Sequence, residues 1–198
     1  DVINIALHTV KIQNWNKTIT VIPTYKFLDT PYRNWRGMTE SGGRRIKRAL
    51  YIDLNSVKFC SWPMLMELRK NELVRDFIDT KLAECKLELD GERPGNMNIE
   101  QQFTNAGIFR AYMTAYLKHH PDLHHEMMTL LVRQLPPGPN GLPLEVYVFT
   151  KTTGWEDYEN IQADIFEHLI AALPEFDLQI FQEPTGMDFR ALSGTVLR

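Results

Sequence analysis

Cysteine is scarce in this 198-residue chain, with Cys60 and Cys85 the only two. They fit no zinc spacing and make a poor disulfide framework, so reduced thiols in a cytosolic compartment are the simpler reading. Long apolar runs are missing too. A spanning helix needs roughly 20 mostly apolar residues, whereas the longest stretch without Asp, Glu, Lys or Arg runs from Gln134 to Leu144 and is rich in Pro and Gly. No signal peptide is visible. Excess positive charge is absent: 22 Lys and Arg against 25 Asp and Glu give a formal net charge of -3, which does not support a bulk affinity for nucleic acid or anionic lipid. G-x-S-x-G, P-loop and G-x-G-x-x-G motifs are all lacking, and the carboxylates are scattered rather than paired. What remains is ordinary globular composition, 43% hydrophobic and 24% charged, which argues against a disordered, collagen-like or coiled-coil chain. The length suits one medium domain or two small ones. No internal repeat stands out.

The first forty residues read as β structure. Ile3, Ile5 and Leu7 alternate with small or polar residues, and the apolar phase then shifts to Val10 and Ile12, which predicts a bulge or bend near His8 and Thr9. Asn14 to Lys17 is a turn, and Thr18 to Ile22 is a second β-branched run that Pro23 ends or confines to an edge. The chain opens at Asp1 in mid-strand, without Met, so a missing upstream part is expected. Asn34 to Gly43, with its glycines, reads as a loop and domain boundary. A strand follows from about Arg44 to Phe59, with Ile46, Leu50, Ile52 and Leu54 on one face and Arg45, Lys47 and Asp53 on the other. Ser61 can cap the next helix, and Leu73, Val74, Phe77, Ile78, Leu82, Cys85 and Leu89 keep helical spacing until Asp90-Gly91. Arg93 to Asn98 is loop, and Gly107 to His119 is a helix with Ile108, Tyr112, Ala115 and Tyr116 on one side.

Met127 to Leu135 and Leu144 to Phe149 are strands that form a hairpin around the Pro136 to Gly141 loop. Thr153-Gly154-Trp155-Glu156 reads as a capping box. The helix behind it carries Tyr158, Ile161, Ile165 and Leu169 on one stripe, with Phe166, Ile170 and Leu173 beside it, and Pro174 stops it. Leu178 and Ile180 mark a last short strand. From Arg44 onward the order is β-α-(inserted helix)-β-β-α-β, the ferredoxin-like split βαβ arrangement.

Two constellations invite a functional reading. His120 and His124 are four apart, the spacing that lets two imidazoles on one helix share a metal, and His119 and His125 flank them. Pro121 disfavours helix at His120, however, and no H-E-x-x-H is present. A polar helix end, where cationic His suits the negative pole, accounts for the cluster. The basic run Arg44-Arg45-Ile46-Lys47-Arg48 could bind phosphate or RNA, but neither central strand candidate carries the Gly-aromatic motif of RNA-binding domains of this topology. A solvated strand start whose charges discourage edge pairing accounts for it. Trp15, Trp35, Trp62 and Trp155 each sit near an element end, which fits packing better than a sugar platform. The residues themselves therefore describe a two-part module without visible chemistry, suited to a structural, regulatory or assembly role, with no catalytic, cofactor-binding or metal residue to name.

A resemblance adds to this. The opening Asp1 to Thr18, followed by Ile22-Pro23-Thr24, resembles the middle β domain of the bacterial small-conductance mechanosensitive ion channel family (MscS-like), which carries strands of the V-x-x-I-x-L-x-T-x-x-I kind before T-x-x-I-P. Asn34 to Arg48 and the Arg133 to Pro143 loop resemble the miniconductance branch typified by the enterobacterial YbdG channel. The resemblance covers nearly the whole chain. It implies an α+β fold in which the remnant of an Sm-like β domain, residues 1–36, is joined by a linker at 37–43 to a ferredoxin-like split βαβ domain at 44–184. A helical insertion at about 90–126 is expected to decorate the family's cytoplasmic cage and to alter packing between subunits, with residues 185–198 as a tail. There the sequence departs from the family's G-I-x-I-P-F-P-Q, reading Leu178 to Gly186 instead. The resemblance further implies a cytoplasmic vestibule of a homo-oligomer, a heptamer, on the bacterial inner membrane. Its membrane helices would lie upstream of this chain. Tension would open the pore to relieve hypo-osmotic shock, and ions would pass through the cage. No enzyme activity, no cofactor and no nucleic-acid partner is implied. The alternative is a soluble ferredoxin-like module that binds RNA or metal.

Overall fold

A computed structural model describes residues 1–84 and 102–184. They form two compact units, divided between Ser41 and Gly42. In the first, β1 (Val2–Ile5), β2 (Thr9–Gln13) and β3 (Ile19–Pro23) make an antiparallel meander in that order. Of the bulge or bend expected near His8 and Thr9, the chain makes the bend, a full reversal: Ala6 N donates to Thr9 O at 2.8 Å, and β2 returns along β1. The irregularity in register lies earlier, between Val2 and Asn4. The Asn14 to Lys17 turn closes the second hairpin, with Asn14 N donating to Thr18 O and Lys17 at φ 68°. Pro23 falls at the end of β3, an edge strand, where its missing N–H costs no ladder bond. Short helices α1 (Lys26–Asp29) and α2 (Arg36–Ser41) follow. Helix α2 occupies part of the stretch where the glycines predicted loop; Asn34 Oδ1 accepts from Arg36 N, and Arg36 pairs with Glu40 one turn on.

The second unit is built on a sheet in the order β4-β6-β5, formed by β4 (Arg44–Ile52), β5 (Leu131–Gln134) and β6 (Leu142–Thr150). The β4–β6 register is unbroken, from Arg44 opposite Thr150 to Ile52 opposite Leu142. The last strand expected near Leu178 and Ile180 is reduced to a bridge on the free edge of β4. Ile180 pairs with Ile52, Phe181 N donates to Tyr51 O at 2.7 Å and Asp53 N donates to Gln179 O at 2.8 Å. The spatial order of the four segments is that of a ferredoxin-like sheet.

Strand β4 is shorter than expected. The Asp53 carboxylate accepts from Asn55 N at 2.9 Å and turns the chain into a 3-10 turn at Leu54–Ser56. Leu54 is consequently 48% exposed, off the face it was expected to share with Ile46, Leu50 and Ile52. The single helix expected after Ser61 is two, α3 (Trp62–Leu68) and α4 (Glu72–Glu84). Asn71 breaks the run by offering its side-chain oxygen to Leu73 N at 3.0 Å. Ser61 holds the cap position of α3 without a side-chain bond. Cys85, Leu89, the stop at Asp90-Gly91, the loop from Arg93 to Asn98 and the tail 185–198 lie outside the described residues.

Helix α5 (Asn105–His119) begins two residues earlier than the spacing predicted, because Thr104 accepts from Gly107 N at 3.1 Å and caps it. Helix α6 (Trp155–Ala172) starts at Gly154, not at a Thr153–Glu156 capping box. Thr152 supplies the local bond instead, accepting from Gly154 N at 3.1 Å. Its inner stripe is Ile165, Phe166, Leu169 and Ala172, while Ile170 is 41% exposed. A 3-10 turn at Leu173–Phe176 follows, with Pro174 at its start.

Alternate residues of the sheet explain the layering. Ile46, Leu50, Ile52, Val132, Leu144, Val146 and Val148 are buried beneath the helices, against Phe109, Met113, Leu169 and Phe176. Each such side chain contributes about 1.5–3 kcal/mol by leaving water. The opposite sheet face stays partly open.

Candidate functional surfaces

The four clustered histidines are engaged one by one with the backbone. Nδ1 of His119 lies 2.7 Å from Ala115 O, Nε2 of His124 lies 3.2 Å from Gly42 O and Nε2 of His125 lies 2.8 Å from His120 O. His120 ends α5 in an extended conformation, as Pro121 requires, and accepts weakly from Asp122 N. Burial pushes the His120 imidazole below its ordinary value, against the pull of Asp122 and Asp164. No group of three or more His, Cys, Asp or Glu able to hold a metal occurs among the described residues.

The basic run is divided between the two sheet faces by strand alternation. On the helix side, the Arg44 guanidinium lies 4.3 Å from the Tyr158 ring centre and that of Arg48 lies 4.8 Å from Phe166, so both cations cap aromatic rings of α6. On the open side, Arg45 lies 5.5 Å from the Tyr147 ring, and Lys47 reaches Glu145 at 4.0 Å. Glu145 is buried and also accepts from Arg133 at 2.6 and 2.7 Å, so its charge is compensated from both neighbouring strands. These cations are tied into the sheet rather than held out as a free phosphate-binding row.

Cys60 is buried, and desolvation pushes its thiol up to about 11, with Lys58 pulling the other way. Burial thus disfavours the thiolate, the nucleophilic form. Between α5 and α6, Tyr116 and His168 stack with ring centres 4.0 Å apart, and Tyr112 Oη lies 2.7 Å from His168 Nε2. Burial raises both tyrosine phenols. Trp62 and Trp155 open α3 and α6, and Trp15 sits in the β2–β3 turn, 82% exposed.

Sequence reading missed Asn105. Its side chain is fully buried and joins three separate segments. Oδ1 accepts from Lys58 N and Ala106 N, both at 2.9 Å, while Nδ2 donates to Ser56 O at 2.8 Å and Phe176 O at 3.1 Å. Nothing in the local pattern separates it from an ordinary polar residue at a helix start.

Residues 1–37 match the family model described as mechanosensitive ion channel, beta-domain, and residues 113–180 match the one described as mechanosensitive ion channel MscS, C-terminal. The chain thus carries the β domain and C-terminal domain of MscS-family mechanosensitive channels. Its fold is similar to that of MSL1 from Arabidopsis thaliana, known by cryo-EM, with TM-score 0.53 and 12% identity over 92% of this chain and 48% of that one. A variant of MSL1 aligns with the same score and identity. The crystal structure of Helicobacter pylori MscS in the closed state aligns with TM-score 0.47 and 11% identity, over 93% of this chain and 51% of that one. The chain spans about half the length of these solved structures. No helix among the described residues is long and apolar enough to cross a membrane.

Proposed function

We propose that this chain forms the cytoplasmic vestibule of a mechanosensitive ion channel that opens under membrane tension and protects the cell against hypo-osmotic shock. The observation that carries this reading is the pair of family matches in one chain, β domain first and C-terminal domain second. In this reading the parent protein is a homo-oligomer, a heptamer by family resemblance. It sits in the bacterial inner membrane through helices outside this chain and belongs to the miniconductance branch. Charged side chains on the vestibule wall bias which ions reach the pore.

Fractionation of source cells tests the membrane half of the proposal. Probed with an antibody against this chain, the native protein is expected to be longer than 198 residues and to stay in the membrane pellet through salt and carbonate washes. A soluble protein of this length would overturn it and favour the RNA- or metal-binding module.

A further inference from the structure

We propose that the open face of the β4-β6-β5 sheet docks against helix α6 of a second copy of this chain. The inference rests on the homo-oligomer reading and names a surface for it. On the open face, Tyr51 and Leu131 are each 43% exposed, and Tyr147 and Phe149 pack edge to face with centres 5.7 Å apart. Arg45, Lys47 and Arg133 surround them. Glu145, the one carboxylate within the three strands, is buried and already paired with Lys47 and Arg133. The surface is thus aromatic with a net positive rim.

Helix α6 is its electrostatic complement. It carries Glu156, Asp157, Glu159, Asp164 and Glu167 and no Lys or Arg. No salt bridge among the described residues involves any of these carboxylates. Its outer side also exposes Ile170. Within one chain the two surfaces cannot meet, because α6 packs on the opposite side of the same sheet, where Phe166 lies beneath Arg48. They can meet only between copies, head to tail, and repetition of such a contact closes a ring when the rotation permits.

A single-stranded nucleic acid fits the face less well. Bases need free aromatic platforms, but the Tyr147 ring is covered by Arg45 and abutted by Phe149.

The test places the photo-crosslinking residue p-benzoylphenylalanine at Tyr51 of the full-length protein in its native membranes. Irradiation is expected to give a chain-to-chain product whose linked peptide falls within residues 155–172. The double variant Asp164→Lys and Glu167→Lys, both at exposed positions, should lower the yield several-fold, and adding Arg45→Glu should restore it. A product elsewhere on the second copy, to RNA, or to a different protein overturns the proposal, as does no product. Native electrophoresis of the same sample separates the two levels. An oligomer that persists without the α6 product overturns only this interface, whereas a monomer overturns the homo-oligomer reading itself.

Discussion

Gly141→Ala is expected to destabilise the α/β unit by about 2–4 kcal/mol. Gly141 has φ +87°, a left-handed conformation that a side chain resists, and a Cβ built there would lie 2.2 Å from Ile52 O and 3.1 Å from Ile52 C. That neighbour cannot step aside cheaply. Ile52 is the last residue of β4, paired with Leu142 on one side and Ile180 on the other. The turn cannot move either, since Gly138 and Gly141 exchange two backbone hydrogen bonds of 3.0 Å. A thermal melt should show the midpoint falling by roughly 4–16 °C. Gly138→Ala is the control: the same turn, but nothing within 4 Å of the added carbon, so little change is expected. Equal effects from both substitutions would contradict the assigned close approach at Gly141.

Asn105→Ala is expected to cost about 2–4 kcal/mol, through hydrogen bonding rather than lost volume. Deleting the amide leaves Lys58 N, Ser56 O and Phe176 O without their partner around a side chain that is itself fully buried. Asn105→Leu restores the bulk but none of the bonds, so it should destabilise by a comparable amount in urea titration. Asn105→Asp keeps the acceptor and places a carboxylate against Ser56 O and Phe176 O, and should be no better. If Asn105→Leu were as stable as the parent, the three segments would be held by packing alone.

Elements with strong periodicity are legible in the sequence. Strand β6 and helices α5 and α6 lie where alternating or helical apolar spacing puts them, because a continuous core selects that spacing directly. The split βαβ order follows from those elements. Side chains that bond to nearby backbone are not legible in the same way. Asp53 ends β4 at Ile52, Asn71 divides α3 from α4, and Thr152 rather than Thr153 shapes the entry to α6. Each is a one-residue choice between competing local bonds, to which apolar patterning is blind. The reversal at Ala6 to Thr9 shows in the sequence as the phase shift at His8 and Thr9, but a bulge and a tight turn shift the alternation alike. Of the two constellations, Pro121 does reveal that His120 leaves the helix. The division of the basic strand into two cation–aromatic pairs beneath α6 and an ion cluster around Glu145 depends on partners about a hundred residues away.

Patch recording from membranes that contain the full-length protein is the most direct test of the central claim. Suction is expected to evoke step-like currents that vanish in membranes lacking the protein. If the protein is demonstrably present in the patch membrane and suction up to rupture evokes no such current, the channel assignment is contradicted.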